Sequence, residues 1–311
     1  MISVVIPAFN AEGTIRATIE SVLNQTYSDL EVIVIDDGSF DGTLAIARNV
    51  DDPRLKVFSY DNGGVCLARN RGISHAAGEL ISFIDADDLW TSDKLEAQAK
   101  AAAKQAEEVV AYSWTSYLYD HDGRLIPGAR NRFEGDVYGE LLKKNFVASG
   151  SNILTRTELI RRTGSFDQTL PQCADWDLCL RLAAQCKFVL VPKHQVLYRQ
   201  SASSMTSRQI DQMEKQCLSM LERAYRSAPA EYRKFNSRSV AWVYQYCTER
   251  YLQTGERVEN VKSASRTLCK AFTSRPLSLF ERYSIRLLFF LLKRWCLAIG
   301  RPNQISATGR A

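Results

Sequence analysis

Histidine is scarce, at three in 311 residues, which argues against a multi-histidine metal site. Long apolar runs are missing as well. The longest, Leu287 to Leu292, is six residues and runs into Lys293 and Arg294. A membrane-spanning helix needs roughly 18 apolar residues in succession. The first residues, Met1-Ile2-Ser3-Val4, lead straight into a strand pattern without the basic start or cleavage site of a signal peptide. A cytoplasmic location is therefore expected. There is no Cys-x-x-Cys pair, and no His stands at zinc-finger spacing from a Cys. The eight cysteines (Cys66, Cys173, Cys179, Cys186, Cys217, Cys247, Cys269, Cys296) are scattered and read as reduced. A Gly-x-Gly-x-x-Gly after the first strand is absent too, which argues against a dinucleotide-dependent oxidoreductase.

What is present is ordinary in bulk and uneven in detail. The chain is 45% hydrophobic and 24% charged, which excludes intrinsic disorder, collagen and a pure coiled coil. Its length allows one large domain or two ordinary ones. The net charge of +5 hides a split. Residues 205–311 hold 19 Lys and Arg against 8 Asp and Glu, whereas residues 1–204 are net acidic. The basic part suits an anionic surface, or only water.

Up to residue 204 the pattern alternates between strands and helices. Ile2 to Ile6 and Glu31 to Ile35 are β-branched runs of the kind that become buried strands. Leu55 to Tyr60, Leu80 to Ile84 and Val109 to Ser113 follow as further strands. Between them, helices are expected over residues 11–25, 42–50, 66–77 and 94–106. The alternation predicts an α/β domain with a mostly parallel sheet. From Thr206 onward only helical spacing remains, in segments around Ile210 to Leu221, Val240 to Tyr251, Val258 to Phe272 and Phe280 to Ile299. The boundary is placed near Gln200-Ser201-Ala202-Ser203-Ser204, giving residues 1–205 as the α/β domain and 206–311 as a basic helical region. Residues 115–150 are the least legible stretch, with an acceptor loop expected around Gly123 to Gly150.

In such sheets ligands bind beyond the carboxyl ends of the strands. Three polar loops lie there: Pro7-Ala8-Phe9-Asn10, Asp36-Asp37-Gly38-Ser39 and Asp85-Ala86-Asp87-Asp88. The two carboxylates of an Asp-x-Asp can share a divalent cation, which in turn holds a diphosphate. Asp37 suits a base N–H or ribose hydroxyls, or else caps the next helix. Phe9 suits stacking on a base, or the core. The Gly63-Gly64 pair, with Arg69 and Arg71 beyond it, suits phosphate at a helix start, or an ordinary turn with wet arginines. Asp175-Trp176-Asp177 precedes a helical stretch, Leu178 to Ala184. Asp175 is a candidate general base or a helix cap. Trp176 is a candidate sugar platform or packing.

Together the strings resemble family 2 glycosyltransferases. They run from Val4 to Asn10 with Glu12, through Ser21 to Thr26, Val34 to Thr43, Gly64 to Gly72 and Phe83 to Asp88. They continue through Arg156, Gly164 to Asp167, Asp175 to Leu178 and Tyr198-Arg199. The resemblance spans about residues 1–205. It implies a GT-A fold, a Rossmann-like mixed sheet followed here by an all-α C-terminal region, and inverting transfer of a sugar from a nucleotide donor. Carried over by position, Pro7, Ala8, Phe9, Glu12, Asp37, Arg69, Asp85 and Ala86 fall to the nucleotide sugar. Asp87 falls to Mg2+ or Mn2+, Asp175 to the catalytic base, and Trp176 and Asp177 to the acceptor.

Two departures from the family pattern stand out. Ala174 replaces the Glu that usually precedes the base, and Gln200-Ser201 stands after Arg199 where members often carry a His. No Gln-x-x-Arg-Trp marks a processive synthase, so a single-addition enzyme is expected. The resemblance and the basic tail together imply a saccharide acceptor, lipid-linked, in cell-surface polysaccharide or glycolipid synthesis. Residues 280–299, basic with Phe289, Phe290 and Trp295, suit the inner face of an anionic membrane, or packing on a neighbour or a second subunit. No nucleic-acid motif is present. The rival readings are a non-catalytic nucleotide-sugar scaffold and a sugar nucleotidyltransferase.

Overall fold

The computed structural model describes residues 1–120, 122–200, 209–254 and 258–299. The chain divides into two compact units, the first ending at Ser201. The boundary expected within 200–207 lies almost wholly outside the described residues.

The first unit is built around the run Ile2–Ala8 (β1), which is buried at every position. A strand apolar on both faces belongs in the middle of a covered parallel sheet. β1 lies parallel between Leu30–Asp36 (β2) and Leu80–Phe83 (β4). Leu55–Ser59 (β3) lies parallel outside β2. Pro7, which follows the β-branched run, sits within β1 opposite Ile35. The ladder to β4 ends at Val5 and Phe83, so Pro7 stands past that partner and the sheet tolerates it. The helices between these strands are Ile15–Leu23 (α1), Thr43–Arg48 (α2) and Val65–His75 (α3). Each is shorter than its apolar spacing suggested.

Beyond β4 the sheet becomes mixed. Leu89–Trp90 (β5) is short, and Lys94–Ala103 (α4) follows it. Val109–Tyr119 (β6) runs six residues past its expected end, and Leu125–Pro127 (β7) pairs with it. After Tyr138–Lys143 (α5), Leu154–Arg156 (β8) bridges β4 and β6, antiparallel to both. Thr157–Arg162 (α6) and Ala174–Ala183 (α7) precede Lys187–Gln200 (β9), which lies parallel to β6 with a bulge around Trp114. The strand order is β3-β2-β1-β4-β8-β6-β9-β5. The order reverses at β1, so the carboxyl ends of β1, β2 and β4 flank a topological switch point.

The second unit holds the helices Ile210–Ser227, Asn236–Gln253, Val258–Ser274 and Arg282–Ile299. Two 3-10 turns, Ala230–Phe235 and Pro276–Phe280, lie between them. The last helix starts at Arg282 rather than at Phe280, which closes the preceding 3-10 turn. Inside this unit, polar pairs such as Thr248 with Thr267 at 2.8 Å satisfy buried hydroxyls. No disulfide joins the cysteines among the described residues, and Cys269 and Cys296 are exposed.

Candidate active site

The β1–α1 and β2–α2 loops are stitched together by their own side chains. Asn10 takes a left-handed backbone, φ +49°, which turns the chain sharply after β1. Its N–H donates to Ser39 Oγ at 3.0 Å, and its Oδ1 accepts the Phe40 N–H at 3.1 Å. The Glu12 carboxylate accepts the Gly42 N–H at 2.8 Å. Glu12 thus ties the first loop to the start of α2. Pro7 and Ala8 are buried strand residues, and the Ala8 carbonyl accepts the Asp37 N–H at 2.8 Å. Phe9 is 48% exposed and edge-on to exposed Phe40 at 5.9 Å. It is not a core residue. An aromatic face is therefore available at the mouth of the sheet.

Asp37 is buried and does not cap α2. Its carboxylate accepts the N–H groups of Gly63 at 3.0 Å and Gly64 at 2.8 Å, and Arg71 Nη1 at 3.0 Å. It holds the turn that opens α3. Gly64 sits at φ +86°, which a glycine adopts without strain. Arg71 in turn lies over the Tyr60 ring at 4.5 Å.

Arg69 projects from α3 into the interior and is buried, where a wet helix face was the alternative. Its Nη2 donates to Asp85 Oδ1 at 2.5 Å, and its guanidinium lies 5.0 Å from the Phe166 ring centroid. Its Nε has no partner among the described residues. A buried cation with a donor unused has a place for one more acceptor. Gly150 lies against it: a Cβ there would meet Arg69 Nη2 at 2.9 Å and the Asp175 Cβ at 3.7 Å.

Asp85, Asp87 and Asp88 crowd the end of β4. Burial pushes the Asp87 carboxyl up to about 6, and the neighbouring Asp85 charge adds to the rise. Burial, with the charges of Asp87 and Asp85, holds Asp88 well above the usual carboxylate range. Asp88 is inaccessible and structural. Its Oδ2 accepts the Ser151 hydroxyl at 2.6 Å and its Oδ1 the Arg199 N–H at 2.9 Å. Arg199 donates from Nε to the Asp87 carbonyl at 2.7 Å and from Nη1 to Asp120 at 2.6 Å. Ala86 packs in the core, and its carbonyl shares the Thr18 hydroxyl with that of Asp88. Among the described residues no three Asp, Glu, His or Cys side chains form a cage for a metal ion. The residues fit a hard cation on Asp87, in an acidic corner that Arg69 and Arg199 offset only in part, with substrate oxygens completing the coordination.

Asp175 lies in the first turn of α7, which begins at Ala174 rather than at Leu178. Burial raises its carboxyl above the ordinary range, while Arg69 and a hydrogen bond from Asn145 oppose the rise. Asn145 Nδ2 donates to Asp175 Oδ2 at 3.0 Å. Asp175, Arg69 and Asp85 thus form one charged chain. The assignment of Trp176 and Asp177 to the acceptor is corrected here. Trp176 is 2% exposed and donates its indole N–H to the Leu141 carbonyl at 2.8 Å. Asp177 is buried and accepts from Arg181 at 2.7 Å. A helix places neighbouring residues on different sides, so Asp175 faces the site while Trp176 fills the core.

Sequence reasoning missed Asn145, Ser151 and Asp88. Asp88 was visible as a third carboxylate in the run. Asn145 and Ser151 carry no local signal, because their partners are 30 and 63 residues away. The stretch Gly123 to Gly150, expected as a loop, holds β7 and α5, and Ala148 beyond α5 has a left-handed backbone at φ +69°. A surface cleft lined by Glu107, Glu108, Asp136, Cys186 and Lys187 lies at the amino ends of β6 and β9, the opposite edge of the sheet.

Residues 3–251 match the family described as glycosyltransferase like family 2. The Escherichia coli UDP-Glc:alpha-D-GlcNAc-diphosphoundecaprenol beta-1,3-glucosyltransferase WfgD is 30% identical over 224 residues, covering 70% of this chain and 83% of that one. The fold is the GT-A fold of S. aureus TarS 1-349 in complex with UDP-GlcNAc. That likeness has a TM-score of 0.67 at 18% identity and covers 96% of this chain and 88% of that one. The mannosyltransferase PcManGT from Pyrobaculum calidifontis, solved with GDP-Man and Mn2+, superposes with a TM-score of 0.61 at 18% identity, over 96% and 87% of the two chains.

Proposed function

The chain belongs to glycosyltransferase like family 2, and from that premise we propose an inverting, single-addition transfer. One sugar moves from a nucleoside-diphosphate donor to a hydroxyl of a saccharide acceptor. The observation that carries the reading is the chain Asp175–Arg69–Asp85 at the switch point of the sheet, with Asp87 beside it.

Phe9 offers a face to the base. The turn held by Asp37 presents the start of α3, whose N-terminus favours phosphate. Arg69 Nε is the donor left for a diphosphate oxygen. A divalent cation, Mg2+ or Mn2+, on Asp87 would neutralise the charge gained by the departing diphosphate. Asp175 takes the proton of the acceptor hydroxyl as its oxygen bonds to the anomeric carbon. The carbon–phosphate oxygen bond breaks on the opposite face, so configuration inverts. Burial of Asp175 raises its basicity, while Asn145 holds one carboxylate oxygen and leaves the other for the proton.

The relative named above acts on a diphosphoundecaprenol-linked sugar. A lipid-linked saccharide is accordingly the acceptor class we propose here. Such an acceptor places the reaction at the inner face of the membrane. The test is calorimetric binding of nucleoside diphosphates and their sugars with and without Mn2+, followed by transfer to a diphospho-lipid saccharide. Metal-dependent binding of one nucleotide series, weakened by Asp87→Ala, and turnover lost in Asp175→Asn support the reading. Donor binding without any turnover would point to a binding scaffold instead.

A further inference from the structure

The helix Arg282–Ile299 is apolar on two sides. Ser284, Leu287 and Leu291 face inward and are buried. Ser284 accepts from Gln245, of the helix Asn236–Gln253 in the same unit, at 2.7 Å. Ile285, Leu288, Phe289 and Leu292 face outward. Their spacings of three and four place them on one side of a helix of about 3.6 residues per turn. Phe289 is 70% exposed and Leu292 is 54% exposed. Phe280, at the end of the turn before this helix, is 75% exposed. Isolated exposed apolar residues need no explanation, but a continuous stripe does.

A row of cations runs beside the stripe. Arg282, Arg286 and Lys293 are exposed and share one edge of it by the same spacing rule. Of the nearby acids, Glu281 pairs with Arg275, and Glu249 accepts from Arg286 of the row at 2.7 Å, so the row's net positive charge rests on Arg282 and Lys293. None of the described helices is long and apolar enough to cross a membrane.

We propose that this face docks on an anionic lipid bilayer, with the helix lying in the interface plane. The stripe enters the headgroup boundary and the cation row meets lipid phosphates. Charge selects this occupant over a second copy of the chain. An antiparallel two-fold interface through the stripe would bring two like-charged rows side by side, whereas an anionic bilayer attracts the row with its headgroups and takes the stripe into its apolar boundary. The inference rests on the second unit alone and is independent of the chemistry proposed for the first.

The test is flotation of the full chain with phosphatidylcholine vesicles, with and without phosphatidylglycerol. Binding is expected only when phosphatidylglycerol is present, and it should weaken in high salt. Lys293→Ala should lower the partition coefficient about fivefold, the equivalent of about 1 kcal/mol per cation. Phe289→Ser with Leu292→Ser should abolish binding while the far-ultraviolet circular dichroism melt stays in place. Equal binding to neutral vesicles, equal binding by the serine variant, or no binding at all overturns the proposal. So does a concentration-dependent dimer that the serine variant dissolves in a chain without vesicle affinity.

Discussion

Asp175→Asn is the sharpest probe of the site, because it removes a proton acceptor and one charge while keeping the shape. Asn145 Nδ2 lies 3.0 Å from Asp175 Oδ2. With the new amide oriented so that its oxygen takes that place, the contact survives. Arg69 keeps Asp85 at 2.5 Å, so the Nε proposed for the diphosphate stays where it is. Donor affinity should therefore change little. Turnover should fall by about 10²–10⁴-fold, the usual worth of a general base, or about 3–5 kcal/mol of barrier. The fold should not suffer. Burial raises the folded carboxyl above its unfolded value of 3.8. The folded state then holds more protons than the unfolded one, so wild-type stability falls as pH climbs above that value. Asn has no such proton to lose, and the variant should be at least as stable as wild type at neutral pH. The assays are sugar transfer under saturating donor, calorimetric donor binding and a denaturant melt. Near-normal turnover in the folded variant refutes the base assignment. Donor affinity lost in parallel with turnover also refutes it, since Asp175 would then be a donor ligand.

Asn145→Ala should move the acid limb of the pH–kcat profile upward. The amide N–H favours the ionised carboxylate, and without it the Asp175 carboxyl rises further; an unmoved limb would break that link. Gly72→Ala should destabilise the first unit by about 1–3 kcal/mol in urea, because a Cβ there would meet Val5 Cγ1 at 2.2 Å where α3 packs on β1. Lys94 is fully buried, and burial holds its ammonium well below 10.5. The folded state therefore binds fewer protons than the unfolded one, and stability falls as pH drops from 10.5 toward the lowered value. Lys94→Met should flatten that slope in urea midpoints measured across pH.

The half of the fold around β1, β2 and β4 was legible because both faces of those strands are covered. Continuous Val and Ile runs have few alternatives, and the loops that end them are rich in Asp and Gly. The mixed half was not legible, for a physical reason. β9 runs 14 residues but carries Pro192, Lys193 and His194 in its middle. Those residues sit where the pairing with β6 shifts register, from Ser113 opposite Val191 to Trp114 opposite His194. A bulge breaks the period-2 pattern that announces a strand. β8, at three residues, is too short to show a period, yet it bridges β4 and β6 and so carries the sheet from its parallel half into its mixed half.

The site divides along the same line. Asp85, Asp87, Arg69 and Asp175, singled out in the sequence from loops at strand ends and helices beside them, come near one another in the fold. Their supports were not legible, because a hydrogen bond formed across 111 residues, such as Arg199 N–H to Asp88, leaves no local pattern. Trp176 shows the converse error. An aromatic beside a carboxylate proposed as the base suggests a sugar platform, but successive helical positions diverge, and Asp175 cannot face the site with Trp176 beside it. The indole N–H on the Leu141 carbonyl anchors α7 to α5. Since Asn145 lies two residues beyond α5, that anchor sets the position of the amide that holds Asp175. Trp176 thus bears on the proposed base through packing alone.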